Sequence, residues 1–137
     1  MTRRIAVLAL VVSLAGCGTS GRSNERPDRF VGAGKPRTSP SGQFVASVKD
    51  GPEQNGVATW IVVITNSSGG VVFSDDQAYS RRHGVGVTWL SNRDQLWILS
   101  SDVGTAHVDQ PDGATWVKTR ITPDTANTIP EEIARLK

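Results

Sequence analysis

The chain of 137 residues has one cysteine, one methionine, one tyrosine and two histidines. A lone cysteine excludes an intrachain disulfide, and two histidines 24 residues apart without a cysteine partner do not make a zinc site. No apolar run approaches the roughly 20 residues that a membrane-spanning helix needs. Charge of one sign is also missing: Lys and Arg number 15 and Asp and Glu 13, for a net +2. Without a basic stripe, nucleic-acid binding is not expected. No Gly-x-Ser-x-Gly elbow, calcium-loop spacing or phosphate-cradling glycine loop occurs. No cofactor and no metal are therefore assigned.

What is present is concentrated at the start, MTRRIAVLALVVSLAGCGTSG. Arg3 and Arg4 give a basic beginning, Ile5 to Val12 an apolar stretch, and Ala15-Gly16 a small-residue exit, the three parts of an export signal. Leu14-Ala15-Gly16-Cys17 resembles the lipobox of bacterial lipoproteins. The resemblance implies cleavage after residue 16, a diacylglyceryl thioether on Cys17 and an acylated amino terminus. Two or more chains hold stably where one does not, each buried methylene contributing about 0.8 kcal/mol. The expected location is the extracytoplasmic face of the cell membrane, through an N-terminal lipid. Gly18, where the family's inner-membrane retention signal carries Asp, favours the outer membrane in a Gram-negative cell.

With Arg3 and Arg4 removed, the basic and acidic residues balance, but unevenly: residues 18–40 carry +3 and residues 41–137 carry −3. Basic residues beside a lipid anchor add about 1 kcal/mol each of attraction to anionic head groups. Residues 17–40, rich in Gly, Ser, Pro and Arg with only Phe30 and Val31 as a bulky apolar pair, read as a lipidated flexible tether. Its expected root-mean-square reach is on the order of 25 to 30 Å. Residues 41–137 are expected to form one small domain.

That domain alternates β-formers with turn clusters. Strands are expected at 43–49, 58–65, 71–74, 85–90, 95–100, 105–109 and 115–121, separated by Asp50-Gly51-Pro52, Asn66-Ser67-Ser68-Gly69-Gly70, Ser91-Asn92-Arg93-Asp94 and Pro111-Asp112-Gly113. Thr128 with Glu131 matches a capping box and predicts a short C-terminal helix over 128–136. The fold class is all-β: a small antiparallel meander of about seven strands, as two blade-like sheets or one twisted sheet or sandwich. Trp60-Ile61-Val62-Val63-Ile64 and Leu96-Trp97-Ile98-Leu99 are apolar on both faces, so both faces need a cover from a second sheet, the helix or a partner.

The sequence also repeats. The turn at Ser39-Pro40-Ser41-Gly42 lines up with Leu90-Ser91-Asn92-Arg93 51 residues on, and Asn66 to Gly70 with Gln110 to Ala114 at a spacing of 44. This resembles the four-stranded blade of TolB-type β-propellers, whose repeats open on Ser-Pro-Asp-Gly; Ser41 stands in place of the Asp, and the second copy lacks Pro and Gly. Two blades are covered, too few for one chain to close a propeller.

Candidate functional residues are few. Trp89 at a strand end, with Arg81, Arg82 and Tyr79, has the composition of an interface hot spot. Asp75, Asp76 and His83 form the alternative, a general acid–base cleft of an envelope enzyme or small-ligand carrier. Ser100 and Ser101, with Asp102 and His107 nearby, and Asp102, Asp109 and Asp112 as a cation site, are explained more simply by turns. The expectation is a non-enzymatic interaction domain whose partner is an envelope protein or, in a purely structural role, a second copy.

Overall fold

A computed structural model describes residues 28–137. The signal segment, Cys17 and residues 18–27 lie outside the described residues. Nine strands form two antiparallel sheets: β1 (Arg37–Thr38), β2 (Phe44–Asp50), β3 (Thr59–Asn66), β4 (Val71–Ser74) and β5 (Tyr79–Ser80) in the first; β6 (Val85–Trp89), β7 (Leu96–Ser100), β8 (Gly104–Asp109) and β9 (Val117–Arg120) in the second. A 3-10 turn (Pro123–Thr128) and helix α1 (Glu131–Ala134) close the chain. The domain is all-β with a short C-terminal helix, and the two halves form separate sheets.

Each sheet is a meander. In the first, β4 and β5 both pair with β3, at Val63↔Ser74 and at Trp60↔Tyr79, so they are one edge strand interrupted at residues 75–78. The interruption turns Asp75 inward while its N–H still bonds Val62 O at 2.9 Å. In the second, β6 through β9 follow in order, with Trp89↔Leu96 and Leu96↔Val108 in register.

Alternation decides what each sheet buries. Ala46, Val62, Ile64 and Tyr79 of the first sheet meet Val85, Val87, Trp89, Leu96, Ile98 and Val108 of the second in one shared core. The intervening β7 residues, Trp97 and Leu99, point the other way, to a smaller cluster with Leu90, Ile133, Leu136, Ile121 and Ile129. The second sheet thus has both faces covered, by the first sheet and by the C-terminal segment. Ile61 and Val63 of β3 belong to neither cluster. Gly51 comes against Ile61, where a Cβ would approach to 3.1 Å, so the 50–57 loop covers part of that face.

Two expectations require correction. Residues 28–40 are part of the domain: β1 pairs with β2, Val31 is buried and its N–H bonds Val87 O at 2.8 Å, and Arg29 reaches Thr88 Oγ1, Trp89 O and Glu132. The apolar pair Phe30-Val31, with an arginine satisfied by three acceptors, gains enough on docking to offset its ordering entropy. The Thr128–Glu131 capping box also does not form. Thr128 belongs to the 3-10 turn, its hydroxyl donates to Thr125 O at 2.7 Å, and Pro130 occupies the N-cap of α1.

The repeated turns touch one another: Ser41 N–H donates to Asp94 Oδ1 at 3.0 Å, and Ser41 Oγ to Asp94 Oδ2. The opening turn of the first repeat is thus bonded through Ser41 to the residue that closes the matching turn of the second.

Candidate functional sites

The expected hot spot is not assembled as a surface. Trp89 is 5 % exposed and Tyr79 2 %, both in the shared core, whereas Arg81 and Arg82 are exposed. Trp89 looks terminal in its strand, but β1 passes over it and Arg37 O accepts its indole N–H at 2.9 Å. Arg81 instead lies over Trp60, its guanidinium carbon 5.2 Å from the ring centroid.

Tyr79 works inside the fold. Its hydroxyl donates to Asp75 Oδ2 at 2.7 Å, and Lys118 Nζ of β9 reaches Asp75 Oδ1 at 2.7 Å, Oδ2 at 2.9 Å and Tyr79 Oη at 2.8 Å. This cluster ties the edge of the first sheet to the edge of the second. Burial alone would raise the Asp75 pKa, but bonds from Lys118, the Gln77 N–H and Tyr79, with the lysine's charge, outweigh it and hold the carboxyl below its ordinary value. Burial and the adjacent carboxylate push the Tyr79 phenol far up, so it stays protonated.

The acid–base grouping is therefore divided. Asp75 is held in the inter-sheet cluster, Asp76 is exposed, and His83 lies at the head of β6. Ser101 Oγ donates to His83 O at 2.6 Å, and Ser100 Oγ accepts the N–H groups of Asp102 and Val103, so both serines are engaged in turns. Asp112 accepts the N–H groups of Ala114 and Thr115, which lower its pKa. Among the described residues no three metal-ligating side chains gather, and no helix is long and apolar enough to cross a membrane.

On the outer face of the second sheet, β8 presents His107 beside Trp97, ring centroids 5.0 Å apart. Trp97 Nε1 donates to Gln95 Oε1 at 2.9 Å, and Gln95 Nε2 donates to Asp109 Oδ2 at 2.6 Å. Burial, and the charge of Arg93, lower the His107 pKa against the opposing pull of Asp109.

Among the concave features of the described residues, the two of largest volume lie at opposite ends of the second sheet. A cleft of about 540 Å³ lies where Phe30 and the C-terminal residues meet the start of β6 and the end of β7. Phe30, Leu99 and Leu136 give it an apolar lining, His83, Arg135 and Lys137 contribute basic side chains, and no carboxylate side chain lines it. Gly86 is required there: a Cβ would sit 2.8 Å from the Phe30 ring. Of its lining, His83, Ser100 and Ser101 were considered from sequence; the apolar pair at Phe30 was the available signal for the rest.

At the other end, a groove of about 480 Å³ is lined by Phe44, Asn66, Val72, Gln110, Thr115 and Trp116, with Ala114. Phe44 and Trp116 meet edge to face at 4.9 Å, and Trp116 lies 6.3 Å from Trp89. Asn66 and Gln110, like Val72 and Trp116, are 44 residues apart, the spacing of the repeated second turn. Two pairs of its lining residues thus come from equivalent positions of the two halves. The repeat predicted paired turns, but not that they would share a groove.

Comparisons with protein-family models, curated proteins and solved structures find no match to this chain.

Proposed function

We propose that this chain is an extracytoplasmic lipoprotein that holds a small non-enzymatic β domain close to a membrane, where it binds another component of the cell envelope. The observation that carries the proposal is Leu14-Ala15-Gly16-Cys17 behind a basic start and an apolar run too short to span a bilayer. In this reading the sole thiol is an attachment point. From Cys17 to Asp28 the chain reaches no more than about 40 Å even if fully extended, so the start of the domain lies within that distance of the bilayer. The non-enzymatic part is supported by how the acid–base residues are used: Asp75 and Tyr79 are joined to Lys118, and the serines near His83 are tied into turns.

A second reading, a carrier of small ligands, is favoured by the cleft beside His83, whose volume falls in the range of small-molecule sites. In that reading His83 contributes to binding, while Asp75 and Asp76 do not.

Membrane fractionation of cells expressing Cys17→Ser tests the anchor. The variant is expected in the soluble extracytoplasmic fraction or as an uncleaved precursor. A mature-size variant still in the membrane fraction would overturn the proposal.

A further inference from the structure

The groove between the second turns of the two halves has an unusual lining for a surface cavity: none of its residues carries a charge. It combines two aromatic rings, Phe44 and Trp116, with the side-chain amides of Asn66 and Gln110. Those amides are each half-used by their own turns. Asn66 Oδ1 accepts the N–H groups of Ser68 at 3.1 Å and Gly70 at 2.9 Å, while its Nδ2 makes no hydrogen bond within the described residues. Gln110 Nε2 donates to Ala114 O at 2.9 Å, which leaves Oε1 as an acceptor. The turns therefore hold both amides in place, with one donor group from the first half and one acceptor from the second.

We infer that this groove binds a neutral saccharide, with N-acetylated hexoses the best match. A sugar ring has a face of C–H bonds, which the negative face of an aromatic ring attracts, and a rim of groups that both donate and accept hydrogen bonds. An acetamido group offers one N–H and one C=O, the complement of Gln110 Oε1 and Asn66 Nδ2. A charged ligand would find no counter-charge in the lining. The volume of about 480 Å³ accommodates a short oligosaccharide segment in an open groove. The inference rests on the binding-domain reading above and gives the class of envelope component recognised.

The test is titration of the purified full chain, in a detergent without a sugar head group, with chitotetraose and separately with cellotetraose. Tryptophan fluorescence and the Trp116 indole N–H resonance are followed. Saturable binding of chitotetraose is expected, weakened at least about tenfold by Ala114→Arg, which fills the groove from an exposed position, and by Trp116→Leu. Since Trp116 also packs on Phe44, Ala114→Arg with unchanged thermal unfolding is the deciding variant. Binding of cellotetraose alone would retain a saccharide and overturn the acetamido match. Binding of neither at millimolar concentration, or equal binding by Ala114→Arg, would overturn the inference. Because the titration is done in solution, its failure is separable from failure of the Cys17→Ser fractionation.

Discussion

The two sheets share one core but differ on their outer faces. Behind the second sheet, Trp97 and Leu99 are covered by Leu90, Ile133 and Leu136. Behind the first, the row in register with Ile61 and Val63 holds Val45, Ser47, Lys49 and Thr65, and the segment against it is the loop at Gly51. Large apolar side chains on an outer face require a covering element, whereas polar ones such as Ser47 and Lys49 permit partial exposure; on the first sheet Val63 is buried and Ile61 half-buried. The short C-terminal helix is thus explained by β7: it covers a tryptophan and a leucine that would otherwise face water.

The most damaging break in this arrangement is between the sheets. Lys118→Ala leaves the Asp75 carboxylate buried without its cation, and the expected loss is about 3–5 kcal/mol in urea unfolding. Adding Asp75→Asn should recover part of that loss, because the unpaired charge is then gone; a double variant as unstable as the sum of the singles would show that the ion pair is not what joins the edges.

Next in size is the contrast of outer faces. Ile133→Ala removes a fully buried side chain beneath α1 and should cost about 2–5 kcal/mol. Ile61→Ala, at a half-buried position on the outer face of the first sheet, should cost about 1–2 kcal/mol, at roughly 0.8 kcal/mol per buried methylene. Equal losses would mean that the two faces are equally covered.

The smallest effect is electrostatic. His107 has a folded pKa below the ordinary 6.5, so as pH falls through 6.5 the unfolded chain takes up a proton that the native state does not. Stability should therefore decline below pH 6.5 and level off once pH passes the folded value. His107→Gln should flatten that decline. Asp75 acts lower: its folded pKa lies under the ordinary 3.8, so its contribution persists above that value and is lost as pH falls through the folded one.

Much of the fold was legible because alternation and turn chemistry are local. The strand at 71–74 matches Val71–Ser74, and 58–65 and 95–100 are displaced by only a residue from Thr59–Asn66 and Leu96–Ser100. The two-residue strands Arg37–Thr38 and Tyr79–Ser80 were not legible, since a pair of residues has no period and only the neighbouring strand defines it. The candidate sites were less legible for a related reason. Trp89 and Tyr79 carry the composition of an interface, but what covers them, the stretch at Arg37 and the amine of Lys118, comes from distant sequence. The groove residues were visible only as paired turns 44 apart, and their convergence depends on how the two sheets stack.

All of these comparisons concern a domain whose proposed setting is fixed by the segment that precedes it. The most direct measurement is intact-mass and N-terminal peptide analysis of the chain isolated from its own membranes. The account predicts a mature chain beginning at Cys17, with a diacylglyceryl thioether on its sulfur. A chain that begins elsewhere, or that carries Cys17 as a free thiol, would contradict it.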